Sequence, residues 1–369
     1  MKNFLLIAVS VILVTCTSKK NAEQMPDHTI ATTDSIRSFV LVNQNGLRMT
    51  VINYGGKIIS LFVPDKKGKM DDIVLGYDSL SQYPSGNPYF GAMIGRYGNR
   101  IAKGKFLLNG KNYQLNLNNG ANALHGGPNG FHNVYWSANP IDKNKLELIY
   151  QSKDGEEGYP GNLSVKVTYT LSDQNELTID YEATTDQETI VNLTHHSFFN
   201  LAGAGNGTIL DHELMINAEA FCSVDSTLIP LGELKKVKGT PFDFLLAHKI
   251  GERINQPDEQ LKYGKGYDHN WVLNKKAGEL TLAAKVAEPN SGRVMEVWTT
   301  EPGLQFYSGN FLDGKDVGKS NKKYEYRSAF CLEAQHFPDS PNHSNFPSTV
   351  LRPGETYTQQ TIYKFSVTK

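Results

Sequence analysis

Two adjacent histidines, His195 and His196, lie within the apolar, β-prone segment from Ile190 to Asn200. If this segment is a strand, the two side chains point to opposite faces, so one enters the packed interior and the other faces a cleft or solvent. A histidine held on a rigid strand can donate or accept a proton near neutral pH. The alternative is a core histidine whose ring nitrogens are satisfied by hydrogen bonds, so the remaining sequence must decide between the two.

A carboxyl group that could work with such a histidine occurs near the C-terminus. Glu333 follows Phe330 and Cys331 in an otherwise apolar stretch. Glutamate is rarely fully buried unless it is paired, and desolvation would raise its pKa toward the range useful for a general base. Two alternatives are an edge-strand glutamate that points into water and a nucleophilic thiol at Cys331, which would share a face with Glu333.

Two glycine-containing segments add further polar groups. Residues 95–101 carry Arg96 and Arg100 on a tight backbone path, where guanidinium groups offer several fixed donors. Residues 118–127 place His125 before two glycines, where a backbone can approach a ligand closely. The alternatives are a surface loop with solvated arginines and a buried capping histidine.

A third segment, Tyr267 to Trp271, sets Asp268 beside aromatic residues. This combination is typical of sugar sites, because carboxylates accept hydrogen bonds from hydroxyl groups and rings cover C–H faces. An Asx-type turn that leads into a strand is the alternative.

The elements that must position these side chains are predicted to be mainly strands. The chain of 369 residues has 10% aromatic residues and 33 glycines, a mixture that suits strands joined by tight turns. Apolar residues alternate with polar ones from Leu163 to Leu171, which predicts a strand with one buried face. Other strands are predicted at 38–42, 48–53, 57–63, 106–108, 111–115, 146–151, 176–183, 214–218, 280–286, 294–299, 304–307, 329–333 and 356–367.

Helices contribute little to the predicted fold. An apolar stripe predicts one short helix between Phe242 and Ile254. Since helices and strands do not alternate, the pattern argues against Rossmann and TIM-barrel folds. We predict an all-β fold, a large antiparallel β-sandwich that forms a single domain over residues 36–369.

The first residues are predicted to lie outside this domain. Lys2 and the short apolar run Phe4–Val14 are typical of a signal peptide, and the segment that ends at Cys16 resembles the lipobox of bacterial lipoproteins, although Thr15 departs from it. We therefore expect residues 1–16 to be a lipoprotein-type signal peptide, with lipid on Cys16, and residues 17–35 to be a flexible tether. The protein would be exported and anchored to a bacterial membrane on its periplasmic or outer-membrane side; the alternative is cleavage that removes Cys16.

Charge and cysteine usage exclude some classes of function. The formal net charge of −1 argues against a nucleic-acid partner. After Cys16, only Cys222 and Cys331 remain, which allows one disulfide at most and no metal site with paired cysteine spacing. The sequence does not show whether these two cysteines pair.

Eight segments in this order resemble the aldose 1-epimerase (galactose mutarotase) family, over nearly all of the chain from Ser38 onward. They are GRYGNRIAKG at 95–104, NALHGG at 122–127, DGEEGYPGNL at 154–163, NLTHHSFFNLAG at 192–203, YDHN at 267–270, EPGLQFYSGNFL at 301–312, CLEAQHFPD at 331–339 and LRPGETY at 351–357.

The resemblance implies a galactose mutarotase-like sandwich that interconverts the α and β anomers of free aldohexoses, with no cofactor and no metal. It implies that Glu333 is the general base and His196 the general acid, and that His125 is a second histidine near the ring oxygen. The substrate-binding residues that it implies are Arg100, Asp268 and Gln305. His195 stands where many members carry Asn, so we leave it outside the catalytic set.

Mutarotation suits these groups chemically. A proton must leave the C1 hydroxyl and another must reach the ring oxygen, after which the ring opens, the C1–C2 bond rotates and the ring closes on the other face. Two groups with separated pKa values suffice. Three alternatives stay open: a glycoside hydrolase with Glu333 and Asp268 as its carboxylates, a non-catalytic sugar-binding module, and a phosphosugar epimerase that binds phosphate through Arg96 and Arg100.

Overall fold

The computed structural model describes Met1 and residues 35–368. Apart from Met1 and Ser35, the predicted signal peptide with Cys16 and the predicted tether lie outside the described residues. The described part from Ser35 onward belongs to one compact unit, residues 32–369. Within it, neither α-helix has the length and apolar character that a membrane span requires.

Strands make up most of the regular structure. In chain order they are β1 (Ser38–Val42), β2 (Arg48–Ile52), β3 (Ile58–Pro64), β4 (Met70–Asp72), β5 (Ala92–Ile94), β6 (Arg100–Ile101), β7 (Lys105–Leu108), β8 (Lys111–Gln114), β9 (Ala123–Leu124), β10 (Ser137–Asp142), β11 (Lys145–Ser152), β12 (Leu163–Leu171), β13 (Glu176–Thr185), β14 (Thr189–Ile190), β15 (Thr194–His196), β16 (Glu213–Ile216), β17 (Ala218–Val224), β18 (Pro230–Lys236), β19 (His248–Lys249), β20 (Asp268–Leu273), β21 (Thr281–Ala287), β22 (Arg293–Thr299), β23 (Gly303–Tyr307), β24 (Cys331–Gln335), β25 (Val350–Leu351) and β26 (Tyr357–Val367).

Helical segments are short. The α-helices of the described chain are α1 (Ile250–Arg253) and α2 (Glu259–Gly264). Single turns of 3₁₀-helix occur at Leu80–Gln82, Ala102–Gly104, Phe131–Asn133, Glu156–Gly158, Lys319–Asn321 and Ser340–Asn342.

Three larger sheets share one hydrophobic core. Their strand orders are β10-β11-β12-β13-β26-β22-β21-β16-β19, β18-β17-β20-β23-β24 and β1-β2-β3-β4, and four two-stranded ladders join β14 to β25, β15 to β5, β6 to β9 and β7 to β8. All of these ladders are antiparallel. Leu61, Val165 and Phe306, one from each larger sheet, belong to the same buried cluster. The predicted all-β antiparallel sandwich is confirmed.

The alternation in β12 shows how the sequence forms the sheet. Each odd-numbered residue from Leu163 to Leu171 is fully buried, and the residues between them are partly exposed. The predicted hairpin is also present, since β7 and β8 pair around the two-residue turn Asn109–Gly110. A period of two therefore predicts both strand and buried face here.

The predicted helix at 242–254 is wrong over most of its length. Phe242 and Phe244 enter the core two residues apart, whereas Leu245 and Leu246 are exposed. Burial of every second residue is the period of an extended chain, so packing of the two phenylalanines overrides the apolar stripe. Only α1 is helical within this range.

Helix α2 was not predicted from the sequence. It is only six residues long and is capped by Asp258, whose side chain accepts hydrogen bonds from the backbone N–H groups of Gln260 and Leu261. The acidic cap was its sequence signal.

Candidate active site

A cavity of about 280 Å³ opens at one end of the five-stranded sheet. Strands β20, β23 and β24 supply Asp268, Tyr307 and Glu333 to its wall, and β15 supplies His196. The other lining residues are Asn87, Pro88, Tyr89, Asn99, Arg100, Asn119, Leu124, His125, Phe198, Phe311 and Leu312. Its size suits a single small polar ligand.

Strand β15 places its two histidines on opposite faces, as the sequence predicts. His195 packs against Tyr169 in the core, with ring centroids 5.8 Å apart, and burial lowers its pKa to about 3. His196 lines the cavity and stacks on Tyr89 and Phe198, at centroid distances of 5.6 and 4.9 Å. Burial lowers the pKa of His196 to about 4 and so favours its neutral ring at pH 7.

Glu333 faces His196 from the edge strand β24. Its side chain is buried, with 2% of the residue exposed. Burial raises the pKa of this carboxyl group well above its usual range and the negative Asp268 raises it further, while Arg100 lowers it. Oxygen Oε2 is buried and has no hydrogen-bond partner among the described residues, so its hydrogen-bonding capacity is unused.

The His196–Glu333 pair is separated by more than a hydrogen bond. His196 Nε2 lies 3.7 Å from Glu333 Oε1, beyond the usual range for a direct bond. Burial favours a neutral ring and a protonated carboxyl group, whereas proton transfer as predicted for the sugar complex needs an imidazolium and a carboxylate. The two states hold the same number of protons, so the pair titrates as a unit.

His125 is fixed in one tautomer by the backbone. Its Nδ1 accepts a hydrogen bond of 3.1 Å from the N–H of Asn99, so the hydrogen of the neutral ring lies on Nε2. Burial lowers the pKa of His125 well below its usual range, and the positive charges of His196 and Arg100 would lower it further. His125 is therefore a neutral donor.

This tautomer also bears on metal binding. One ligand atom from each of His125, His196 and Glu333 can lie within 4.8 Å of the others, a spacing and a donor set that Zn²⁺ could use. However, the backbone N–H already occupies the lone pair of His125 Nδ1, and Nε2 carries the hydrogen. The chemistry of His125 therefore does not fit a resident metal ion.

Arg100 and Asp268 form the polar end of the cavity. Arg100 Nη2 lies 4.0 Å from Asp268 Oδ2, and Arg100 Nε donates to Asn119 Oδ1 at 3.1 Å. Burial raises the pKa of Asp268, although Arg100 and a hydrogen bond from Gln305 oppose this shift.

Gln305 lies behind the wall of the cavity. Its Nε2 donates to Asp268 Oδ1 at 2.7 Å, and it is paired directly with Glu333 in the β23–β24 ladder. Gln305 does not line the cavity itself, so its first contact is with Asp268.

Arg96 points away from the cavity. Its guanidinium donates to the carbonyl oxygens of Ser152, Lys153, Pro160 and Gly161 and to the hydroxyl of Ser152. Because these contacts use its donors in a buried structural role, Arg96 and Arg100 do not converge on a phosphate site.

The sequence did not identify the aromatic side chains that line the cavity as parts of the site. Tyr89 contacts the rings of His125, His132 and His196 at centroid distances of 4.9, 5.0 and 5.6 Å. Its segment, residues 87–90, carries no pattern that distinguishes it from an ordinary loop. Tyr307 and Phe311 stack at 6.0 Å and lie within the motif at 301–312, which was their signal.

The two cysteines of the described chain are free and buried. Burial raises the pKa of Cys331 well above its usual range, and the negative charges of Glu333 and Asp268 add to this. A thiol that stays protonated is a poor nucleophile, which argues against the cysteine alternative.

The cavity of this β-sandwich brings a histidine and a glutamate together, an arrangement suited to acid–base chemistry on a small polar ligand. Residues 37–364 match the family described as Aldose 1-epimerase. Galactose mutarotase from Bos taurus is 49% identical over 321 residues, which cover 87% of this chain and 92% of the bovine one. Aldose 1-epimerase from Escherichia coli is 38% identical over 333 residues, which cover 89% and 95% of the two chains.

The fold agrees with these sequence matches. The crystal structure of a GalM/aldose epimerase homologue from C. elegans superposes with a TM-score of 0.84 at 31% identity, over 91% of this chain and 100% of the other. The chain belongs to the aldose 1-epimerase family, whose members are isomerases.

Proposed function

We propose that this protein interconverts the α and β anomers of free galactose and glucose by general acid–base catalysis. The observation that carries the proposal is the buried carboxyl group of Glu333 in a cavity of sugar size. Its Oε2 has no hydrogen-bond partner among the described residues, and its Oε1 lies 3.7 Å from His196 Nε2. The names of the similar proteins, galactose mutarotase and aldose 1-epimerase, support the same substrate class.

Glu333 and His196 are the proposed catalytic residues. Glu333 removes the proton of the C1 hydroxyl, and His196 delivers the proton of Nε2 to the ring oxygen. The ring opens to an aldehyde, C1–C2 rotation exposes the other carbonyl face, and the reverse transfers close the ring as the opposite anomer. The 3.7 Å gap between the two side chains keeps them from a direct hydrogen bond and leaves both available to the substrate.

The remaining polar groups would bind and orient the sugar. We assign His125 as a neutral donor to the anomeric end, because the Asn99 N–H fixes its tautomer. Arg100 would donate to sugar oxygens and Asp268 would accept from hydroxyl groups, held in place by Gln305. Stacked Tyr307 and Phe311 would cover an apolar face of the ring.

Polarimetry of freshly dissolved α-D-galactose and α-D-glucose tests the activity. With purified protein, the optical rotation should reach its equilibrium value faster than without it, at a rate proportional to protein concentration. Rates equal to the spontaneous ones for both sugars would contradict the proposal.

We also propose that the protein is lipid-anchored through Cys16 on the outer side of a bacterial membrane. Lys2, the apolar run Phe4–Val14 and the lipobox-like end at Cys16 support this location. Lipid on one cysteine, followed by the polar segment 17–35, would hold the domain near the membrane while its cavity stays accessible. Fractionation of cells that express Cys16→Ser should move the protein out of the membrane fraction; an unchanged distribution would contradict the anchor.

A further inference from the structure

One strand of the sheet contacts both ring nitrogens of His196. Residues two apart in a strand share a face, and β24 uses this spacing for Cys331 and Glu333. Glu333 Oε1 lies 3.7 Å from Nε2, and Cys331 Sγ lies 3.4 Å from Nδ1. Side chains of a single strand therefore face both nitrogens of the imidazole, the sulfur within hydrogen-bond distance of Nδ1 and the carboxyl oxygen beyond that distance from Nε2.

The sulfur contact is specific to Nδ1. Among the side chains of the described residues, only Cys331 lies within hydrogen-bond distance of the His196 ring, since the Glu333 oxygen is too distant. Cys331 is fully buried, so water does not compete for this position. Because the thiol stays protonated, its sulfur offers lone pairs that accept a hydrogen bond weakly.

The proposed chemistry makes different demands on the two ring nitrogens. When Nε2 gives its proton to the ring oxygen, the neutral ring that remains must keep its hydrogen on Nδ1. Nε2 then has the lone pair that recovers a proton during ring closure. A partner that accepts from Nδ1–H favours this tautomer, and it also opposes a ring flip that would exchange nitrogen and carbon positions.

We propose that Cys331 is a positioning residue for His196: its sulfur accepts the hydrogen bond of Nδ1–H and so makes Nε2 the nitrogen that exchanges protons with the sugar. This role rests on the proposed function of His196. Cys331 itself does not line the cavity and acts only through the imidazole.

Removal of the sulfur should affect turnover more than binding. In Cys331→Ala, Nδ1 loses its acceptor, so we expect kcat to fall about 2- to 10-fold, the range for one neutral hydrogen bond, with KM nearly unchanged. Cys331→Ser keeps a hydrogen-bonding atom near Nδ1 and should recover part of this loss. A merely structural role would not produce this order of the two variants.

The tautomer of His196 gives a readout that is independent of activity. We would record ¹⁵N NMR spectra of the histidine rings in the sugar-free protein and assign His196 by its absence from the spectrum of His196→Asn. The wild-type spectrum should show a protonated Nδ1 and an unprotonated Nε2 in the neutral ring. Cys331→Ala should shift this population toward Nε2–H.

Cys222 provides the matched control. It is also a free, buried cysteine in the same five-stranded sheet, on β17, and it does not contact the His196 ring. Cys222→Ala should leave the His196 tautomer and kcat unchanged.

A wild-type His196 that carries its hydrogen on Nε2, or an equal tautomer in wild type and Cys331→Ala, would overturn the proposal. If instead the tautomer shifts as expected but the wild-type protein does not accelerate mutarotation, the proposed function fails while the sulfur contact stands.

Discussion

Two histidine–glutamate pairs lie in or next to strand β24, and they differ in how they are joined. His336 Nδ1 and Glu301 Oε2 lie 2.5 Å apart in a direct hydrogen bond. His196 Nε2 and Glu333 Oε1 lie 3.7 Å apart, without one. Burial lowers the pKa of His336, but the charge of Glu301 and their hydrogen bond outweigh it, so the net shift is upward. The pKa of His196 is lowered.

The comparison separates a stabilising pair from a reactive one. A closed ion pair compensates for desolvation of its two members, and neither remains available to a ligand. An open pair leaves the carboxyl oxygen and the ring nitrogen without partners, which costs stability and keeps both groups ready to exchange protons with a substrate. We therefore expect substitutions in the first pair to change stability and substitutions in the second to change turnover.

The largest expected effect is on turnover, in His196→Asn. Asparagine cannot protonate the ring oxygen, so kcat should fall about 100- to 10,000-fold. The matched variant His336→Asn should keep kcat within about tenfold of wild type. Polarimetric rates of both variants check this, and equal losses would erase the distinction between the two pairs.

Combining the two catalytic substitutions sharpens the same point. If His196 and Glu333 act as one unit, the double variant His196→Asn/Glu333→Gln should be little slower than either single variant, because such residues are not additive. Losses in kcat that multiply fully would indicate that the two side chains work independently.

A smaller effect is expected for Asp268, which contacts neither pair but raises the pKa of Glu333 through its charge. Asp268→Asn should raise KM about 10- to 100-fold, as expected for hydrogen bonds to a charged group, and should lower the pKa of Glu333. Asp180→Asn is the control, since Asp180 accepts a 2.7 Å bond from Gln360, as Asp268 does from Gln305. The prediction fails if both variants keep wild-type KM.

Replacing the glutamate of each pair by glutamine should change the free energy of unfolding in opposite directions. Glu301→Gln removes the buried charge that pairs with the half-buried His336, so the free energy of unfolding should fall by roughly 1–3 kcal/mol. Glu333→Gln removes a carboxyl group whose pKa is raised by burial, so at pH 7 the protein should become more stable. This gain in stability should vanish as the pH falls toward the pKa of glutamate in the unfolded chain, near 4.3. Urea unfolding of both variants measures the difference, and a destabilised Glu333→Gln would contradict it.

The smallest expected effect is the contribution of His336 to the pH dependence of thermal stability. The pKa of His336 is raised in the folded state. Its pairing with Glu301 therefore stabilises the protein fully at a pH below the pKa of the unfolded state, near 6.5. This stabilisation is lost as the pH rises through the pKa of the folded state. The difference in Tm between wild type and His336→Gln should therefore shrink as the pH increases from about 6 to about 9. A constant difference would show that the pair is not charged.

Much of the fold could be predicted because its signals are local. The alternation from Leu163 to Leu171 encodes a half-buried strand, and Asn109–Gly110 encodes a hairpin turn. The helix predicted at 242–254 failed because Phe242 and Phe244 gain more from core packing than from helical periodicity. Sheet order, which joins β13 to β26, depends on contacts far apart in the chain.

The site could be predicted as a set of residues but not as a geometry. Motif order identified Glu333, His196, His125, Arg100 and Asp268, which the structure brings to one cavity. The side chain of Gln305 bonds to Asp268 because of the register of its strand. A register shift of one residue would turn this side chain to the other face of the sheet. The orientation of Arg96 and the position of Tyr89 depend on loops without a local pattern.

The most direct test of the central claim, that Glu333 and His196 form a proton-transfer pair, is the polarimetric rate of Glu333→Gln on α-D-galactose. Calorimetric binding of galactose to the same protein is measured in parallel. Glutamine keeps the size and hydrogen-bonding capacity of the side chain but cannot accept a proton. We predict galactose affinity close to wild type and a kcat lower by about 100- to 10,000-fold, with Glu301→Gln still active. Near wild-type mutarotation by Glu333→Gln would contradict the account.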